Sequence, residues 1–330
     1  MKTTNTFLIS FLILCGHFSQ AQNLVPNPSF ENYKKLRCTG IDENMGIKNP
    51  DSRLVFDSIL YDWKLPTTLA SDIYSLIVDV KTCDLNPFHD GYGPNPKDGF
   101  NMANIALMGN HLIGPKNGGG RSYIQTKLNN RLKGNHQYLG GGYQTLDPIS
   151  FYAANNLGML FTTEPVRSDT NLILSYTPQI NQTEVNKDQS IWKKFYGCFT
   201  AVGEEEYLTI GGFIDDEHTT FIKLDPGNGG FVSDYSLYFI DSVFVEEINL
   251  YIPNVITPNG DRFNEKFVID NLHFGWWSLD VFNRWGGQVY HSSDYRNTWS
   301  GDNLSSGVYY YHLKHRCENV QYKGTLSIIR

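Results

Sequence analysis

The 330-residue chain predicts an all-β fold, built as two β-sandwiches in tandem. Three observations lead there. No long segment places apolar residues at i, i+3, i+4 and i+7, the spacing an amphipathic helix needs. Short strand-like runs recur instead, at 122–128, 137–143, 157–162, 172–177, 191–202, 207–213 and 235–248, separated by clusters of Gly, Asn, Asp and Pro. Tyr and Phe number 20 each, and aromatic side chains suit the half-buried face of a pleated sheet.

Taken in order, the first element is a leader. Lys2 precedes an apolar run from Phe7 to Cys15, well short of the roughly 20 residues that span a bilayer. Ser19 and Ala21 suit cleavage, so residues 1–21 read as a removed signal peptide with Gln22 as the new N-terminus. Leu14 stands where a lipid anchor at Cys15 would need a small residue. No later stretch reads as a transmembrane helix. The segment 38–120 is the least regular, with Pro87, Pro94, Pro96 and the triplet Gly118-Gly119-Gly120. It reads as long loops with one or two strands, such as 72–80. Loops of that length serve recognition or cover a core.

A boundary is expected near Asn249–Tyr251, where the run 235–248 ends and Pro253 and Pro258 follow. This divides the mature chain into 22–249 and 250–330. The second part has its own aromatic density in Trp276, Trp277, Trp285, Trp299 and Tyr309-Tyr310-Tyr311. Strands are expected at 266–269, 277–283, 287–291, 308–314 and 322–329. About 80 residues in short antiparallel strands suit a small immunoglobulin-like sandwich.

Charge is uneven. Residues 22–249 hold 18 Lys+Arg against 27 Asp+Glu, a net of −9, whereas 250–330 hold 8 against 7, a net of +1. No basic patch dominates, which argues against a nucleic-acid partner. Cys38, Cys83, Cys198 and Cys317 follow the leader. An even number in an exported chain permits two disulfides. Cys38 and Cys83 are the favoured pair, since both lie in turn-rich sequence early in one domain. Cys198 lies in a strand-like run and reads as a buried free thiol. No CxxC pair or Cys/His cluster suggests zinc.

The C-terminal part carries ordered motifs: Ile256-Thr257-Pro258-Asn259-Gly260-Asp261, Val281-Phe282-Asn283-Arg284-Trp285-Gly286, Val289-Tyr290, Trp299-Ser300-Gly301, Ser306-Gly307-Val308-Tyr309-Tyr310-Tyr311 and Tyr322-Lys323-Gly324…Ile328-Ile329-Arg330. In order and spacing, 252–330 resembles the type B sorting domain of the type IX secretion system, the gliding-motility-associated C-terminal domain of Bacteroidetes. The resemblance implies export through the periplasm, recognition by an outer-membrane translocon with a PorP/SprF-like partner, and secretion or surface display. Arg262 stands where the family usually has Gly, and Glu265 where it usually has Asp, which leaves the loop's conformation open. The same residues make local sense. Pro258 before Asn259-Gly260 is turn chemistry, and 283–287 reads as a hairpin connection. Asn259, Asp261, Asn264 and Glu265 could offer oxygens to Ca²⁺, but without an EF-hand pattern side-chain turn caps are favoured. Arg284 is expected to pack on Trp285 or Trp299.

The N-terminal part opens with Leu24-Val25-Pro26-Asn27-Pro28-Ser29-Phe30-Glu31 and closes with Tyr238-Phe239-Ile240-Asp241-Ser242-Val243-Phe244-Val245. These resemble the opening and closing strands of jelly-roll modules of the carbohydrate-binding and galactose-binding-like type, as do 121–125 and 206–213. The resemblance implies that Glu31 and Asp241 lie close enough to share a structural Ca²⁺ with backbone carbonyls; local turn capping is the alternative. Sugar binding would draw on Trp63, Tyr74, Tyr92, Tyr143 and Trp192, of which most should be core.

Enzyme signatures are missing: there is no GxSxG, HExxH, P-loop or GxGxxG before a helix. Glu204-Glu205-Glu206 reads as a solvated turn, and His89-Asp90 as a surface pair in a Pro/Gly-rich loop. The expectation is a non-enzymatic surface protein binding glycan or another surface protein. A hydrolase with a site in the 38–120 loops is the alternative.

Overall fold

The computed structural model describes residues 22–33, 60–68, 72–75, 86–87, 94–109, 120–224, 234–317 and 319–330. The leader at 1–21, the Cys38–Cys83 pair, His89-Asp90 and Tyr92 lie outside the described residues. The chain divides into two compact units, Gln22–Ile248 and Asn249–Arg330. The expected all-β class is the class observed.

The first unit contains β1 (Trp63–Lys64), β2 (Asp72–Ser75), β3 (Asn86–Pro87), β4 (Asn101–Met108), β5 (Ile124–Lys127), β6 (Gln137–Leu146), β7 (Tyr152–Ala154), β8 (Leu157–Thr162), β9 (Ile180–Asn181), β10 (Lys193–Thr200), β11 (Tyr207–Gly212), β12 (Phe221–Lys223) and β13 (Ser236–Glu247). They form a five-stranded sheet, β1-β5-β11-β8-β9, a six-stranded sheet, β10-β6-β13-β4-β2-β3, and the pair β12-β7. Pairing is antiparallel except for β2 with β3. One core joins the two large sheets. Ile124, Met159, Phe161 and Leu208 from the first meet Ile105, Tyr138, Leu146, Phe195 and Ile240 from the second. Alternation along each strand sends one face of each sheet inward.

Three sequence expectations are corrected in this unit. β4 lies inside the segment read as loops. It runs between β13 and β2 and is buried throughout. A strand covered on both faces loses the polar–apolar alternation that advertises a strand. The run 172–177 forms no strand. Leu174 instead buries beside Tyr123, Leu160, Val166 and Phe213, and its N–H donates to the Tyr123 hydroxyl at 3.1 Å. A side chain thus takes the place of a neighbouring strand. Cys198, half-buried in β10, is disulfide-bonded rather than a free thiol.

The second unit contains β14 (Val255–Ile256), β15 (Trp277–Phe282), β16 (Gln288–Ser292), β17 (Gly307–His315) and β18 (Gln321–Ile328). They make one sheet in the order β14-β18-β17-β15-β16, with β14 parallel to β18 and the rest antiparallel. The expected strand 266–269 is absent. Phe267 and Ile269 are buried as its alternation predicts. However, Phe267 N–H donates to Trp299 O, and Ile269 N–H to the Asn297 side chain. Loop partners satisfy this segment where a ladder was expected. Phe267 packs on Tyr311 of β17, ring centroids 5.4 Å apart, so connecting segments cover the inner face of the sheet.

Candidate functional site

Glu31 and Asp241 hold the same loop. Glu31 Oε1 accepts from the N–H groups of Phe100 and Asn101, both at 2.8 Å. Asp241 Oδ2 accepts from Lys97 N–H at 2.7 Å and Asp98 N–H at 3.0 Å, and Oδ1 from Ser242 N–H. Asn101 Nδ2 donates to Phe30 O at 3.1 Å, and Asn101 Oδ1 is buried without a hydrogen-bond partner. Gly99 makes the closure possible. Its φ is +67°, and a Cβ there would stand 2.4 Å from Glu31 Oε1, a contact no side chain tolerates. Asp241 is fully buried. Burial pushes its carboxyl up to about 7, the Asp98 charge adds to that, and the three backbone donors only partly oppose it. The two resemblance-implied residues are therefore brought to one segment, 97–101, and both use backbone amides of that segment.

Asp241 sits where β13 shifts register, between Asp241 and Phe244, with Ser242 at φ +50°. Such a bulge re-aims side chains on the strand. Around it, the outer face of the six-stranded sheet gathers aromatic and basic groups. On β10 and the residue before it, Trp192, Lys194 and Tyr196 share the face opposite the core residue Phe195. Lys194 pairs in register with Tyr143 on β6, and Tyr196 with Gly141, which in turn pairs with Phe244 on β13. A Cβ on Gly141 would lie 2.4 Å from Phe195 O and 2.7 Å from Phe244 Cζ. The missing side chain thus lets the Phe244 ring lie on the sheet. Lys97 Nζ stands 4.7 Å and Lys194 Nζ 5.8 Å from the Tyr143 ring centroid, and Lys194 Nζ is 4.9 Å from that of Phe244. The Trp192 indole N–H donates to Asn95 O at 2.8 Å, which ties this face to the loop that Asp241 and Glu31 hold.

Of the aromatics singled out from sequence, Trp63 is core: it is fully buried and donates to Asn27 O at 2.9 Å. Tyr74 lies in β2. Tyr143 and Trp192 are half-buried on the outer face. Sequence reading missed Tyr196, Phe244 and Lys97. Counting alternate positions along 191–202 from Trp192 would have found Tyr196; the β13 bulge hides Phe244, and only the fold brings Lys97 across.

The Glu204-Glu205-Glu206 triplet is not the solvated turn expected. Glu205 and Glu206 are buried. Glu205 accepts from Val202 and Gly203 N–H at 2.8 and 2.7 Å. Glu206 pairs with Lys127 at 2.7 Å and with Arg131, and Lys127 holds its carboxyl below the usual range. Two cations far back in the chain, which only the fold brings beside Glu206, and the turn's own N–H groups at Glu205 offset the burial.

In the second unit the 257–265 loop caps itself. Glu265 Oε1 accepts from Gly260 and Arg262 N–H at 2.7 and 3.1 Å, while Asp261 Oδ1 accepts from Phe263 N–H and Asn259 Oδ1 from Asp261 N–H. Arg262 has φ +76°, the left-handed region that favours the Gly usual at this place. Asn283 Oδ1 accepts from both Trp285 and Gly287 N–H and so closes the β15–β16 hairpin. Arg284 stacks on Trp285 at 5.0 Å, at a ring that is 81% exposed; Trp299 is buried. Arg330 donates to the carbonyls of Leu304 at 3.0 Å, Gly301 at 2.8 Å and Pro258 at 3.4 Å.

These loops and this hairpin carry the motifs on which the sequence resemblance rests. Residues 250–328 match the CHU_C Type IX secretion signal domain. This domain indicates type IX secretion sorting, and with it export and a cell-surface or secreted location. No curated protein matches the chain. Three solved structures are similar at low level. One is described as "CBM4 structure and function", with 13% identity, covering 68% of this chain and 99% of that one at TM-score 0.29. Another is a putative sugar binding protein from Bacteroides thetaiotaomicron VPI-5482, with 12% identity, 68% and 100% coverage and TM-score 0.29. The third is the N-terminal CBM22-1-CBM22-2 tandem domain from Paenibacillus barcinonensis Xyn10C, with 10% identity, 81% and 80% coverage and TM-score 0.29. Similarity at this level fixes neither a ligand nor a site.

Proposed function

We propose that the chain is a glycan-binding protein, non-enzymatic, delivered to the cell surface by its CHU_C domain. One observation supports the binding role: Trp192, Tyr143, Tyr196 and Phe244 share one sheet face beside a loop anchored by two carboxylates. Aromatic faces stack on the C–H faces of sugars, and flanking polar groups orient hydroxyls. Delivery proceeds through the periplasm to an outer-membrane translocon with a PorP/SprF-like partner, as the resemblance of 252–330 implies, and the process served is surface delivery of the gliding-motility type.

A structural Ca²⁺ held by Glu31 and Asp241 fits the residues present. Asn101 Oδ1 is an orphaned buried acceptor, and Asp241 is a buried carboxylate whose bonded partners among the described residues are backbone N–H groups, not cations. A hard cation favours oxygen donors of this kind. Its role would be to fix the 97–101 loop against β13.

Removal of 249–330 tests the delivery reading. Expressed in the native host, the truncated chain should be retained in the periplasm, while the full chain is accessible to protease added to intact cells. Equal accessibility of both would refute the assignment.

A further inference from the structure

We propose that the hairpin end of the outer sheet face in the second unit is the surface that a protein receptor of the secretion machinery grips, with Trp285 as its anchor. The inference rests on the delivery reading and locates the contact within the signal domain.

Tyr309, Leu313 and Leu326 are buried on the inner face of this sheet. Alternation therefore puts Val308, Tyr310, His312 and Lys314 of β17 on the outer face. Register sorts that face into two halves. In one, Asp280 of β15 pairs with His291 of β16 at 2.7 Å and with Lys314 at 3.3 Å, and His312 bonds Gln321 of β18 at 2.6 Å. These side chains satisfy one another. In the other half, Tyr310 stands opposite Phe282 on β15 and Thr325 on β18. Val308 lies one pleat further along. Ile329 joins them from just past the end of β18, where its N–H still donates to Ile256 O at 3.1 Å. Phe282 is the last residue of β15, so the β15–β16 hairpin turns beside this half and carries Trp285 at its tip. Trp285, Ile329, Val308 and Tyr310 are 81%, 54%, 50% and 49% exposed.

The tip is held rigid. Asn283 Oδ1 accepts from the Trp285 N–H at 3.0 Å and the Gly287 N–H at 2.9 Å, and Asn283 O from the Gly286 N–H at 3.0 Å. A ring presented in a fixed place loses little freedom on binding. Arg284 stacks on it at 5.0 Å and enters no ion pair among the described residues. Tryptophan and arginine are the side chains that most often carry the energy of protein contacts. Together they call for an apolar cleft with a carboxylate at its rim.

The occupant follows from the kind of unit this is. Residues 250–328 match a secretion signal domain, and a signal acts by being recognised. A second copy of this chain fits the area less well. At about 150–250 Å² for a large side chain, the four exposed residues offer about 350–600 Å². That is a patch of functional size, yet it falls short of the roughly 800 Å² per partner of a standard stable interface. Such an area suits a grip that must later be released.

The test uses the full chain in the native host, read as the fraction accessible to protease added to intact cells. Trp285→Ala/Tyr310→Thr should lower that fraction about fivefold or more. Lys323→Thr, on the polar half of the same face, should stay within about twofold of the parent. Full display of the double variant, while the chain lacking 249–330 is retained, overturns the docking face and leaves the delivery reading standing. Display of the truncated chain as well overturns both. Equal loss in Lys323→Thr overturns the assignment to this half of the face. A photoreactive benzoylphenylalanine placed at position 285 should crosslink to an outer-membrane protein of the host, and one placed at 323 should not. Adducts with lipid alone, with a second copy of this chain alone, equally at both positions, or with no protein at 285 overturn the receptor. Each variant should melt within a few degrees of the parent, and the crosslink decides the matter for any variant that does not.

Discussion

Burial sets the behaviour of two titratable side chains in opposite directions. For Asp241 the uncompensated carboxylate is pushed up to about 7, and a bound cation would reverse that pressure. Ca²⁺ at about 100 times its dissociation constant should stabilise the first unit by about 2.7 kcal/mol, roughly 5–10 °C in melting temperature for a unit of this size. Calorimetry with Ca²⁺ against chelator checks this; the shift should vanish in Asp241→Asn. His315 is also buried, stacked on Trp276 with centroids 5.4 Å apart and edge-on to Trp277 at 4.6 Å. Burial lowers its pKa to about 4, helped by the charges of His273 and Arg316. Above pH 6.5 the imidazole is neutral in both folded and unfolded chains and contributes no pH dependence. As pH falls from 6.5 to 4 the unfolded chain takes up a proton that the folded one refuses. Stability of the second unit should drop by about 3 kcal/mol over that window. Urea unfolding at pH 7, 5.5 and 4.5 tests this, and His315→Phe should flatten the profile. Arg262 shows what an unusual residue costs: at φ +76° it occupies conformational space that Gly enters freely, at a penalty of about 1 kcal/mol. The Glu265 carboxylate bonded to its N–H offsets part of that.

Elements were legible where one face is wet. β10, β13, β15, β17 and β18 each overlap an expected run and keep part of one face exposed or half-exposed. β4 was hidden because its neighbours cover both sides, and its Asn101 and Asn104 read as loop residues although both are buried. Asn104 is there because Asp147 accepts its amide N–H at 2.8 Å, a partner 43 positions away in the chain. The runs 172–177 and 266–269 failed for a different reason: alternation reports burial, not hydrogen-bond partners, so 266–269 buries Phe267 and Ile269 without a ladder, and 172–177 buries only Leu174. β6 carries three consecutive glycines, 140–142, which weaken its strand signal. Gly141 is required where it is. A side chain there would strike the Phe195 carbonyl as well as the Phe244 ring, so Gly141→Val should destabilise the first unit by about 2 kcal/mol or more. The same substitution should abolish sugar binding, read by urea unfolding and titration.

At the scale of the whole molecule, the division into an acidic β-rich part and a nearly neutral aromatic part was visible in residue counts alone, because each domain must satisfy its own solubility and its own core. Glu31 and Asp241 were singled out through the resemblance of the opening and closing strands; that both hold residues 97–101 was not legible, since no local pattern links those positions. The aromatic face proposed for sugar binding was not legible either: Tyr143, Trp192, Tyr196 and Phe244 come together only through sheet order and one bulge.

β18 follows every other strand in the chain, yet it is seated between β14 and β17. A polypeptide cut short before position 321 has β17 with a bare flank and β14 with nothing to pair. The postal code is thus unreadable until its final stroke is written, so a machine that grips the finished sheet would pass over unfinished or clipped cargo without needing a separate inspection step.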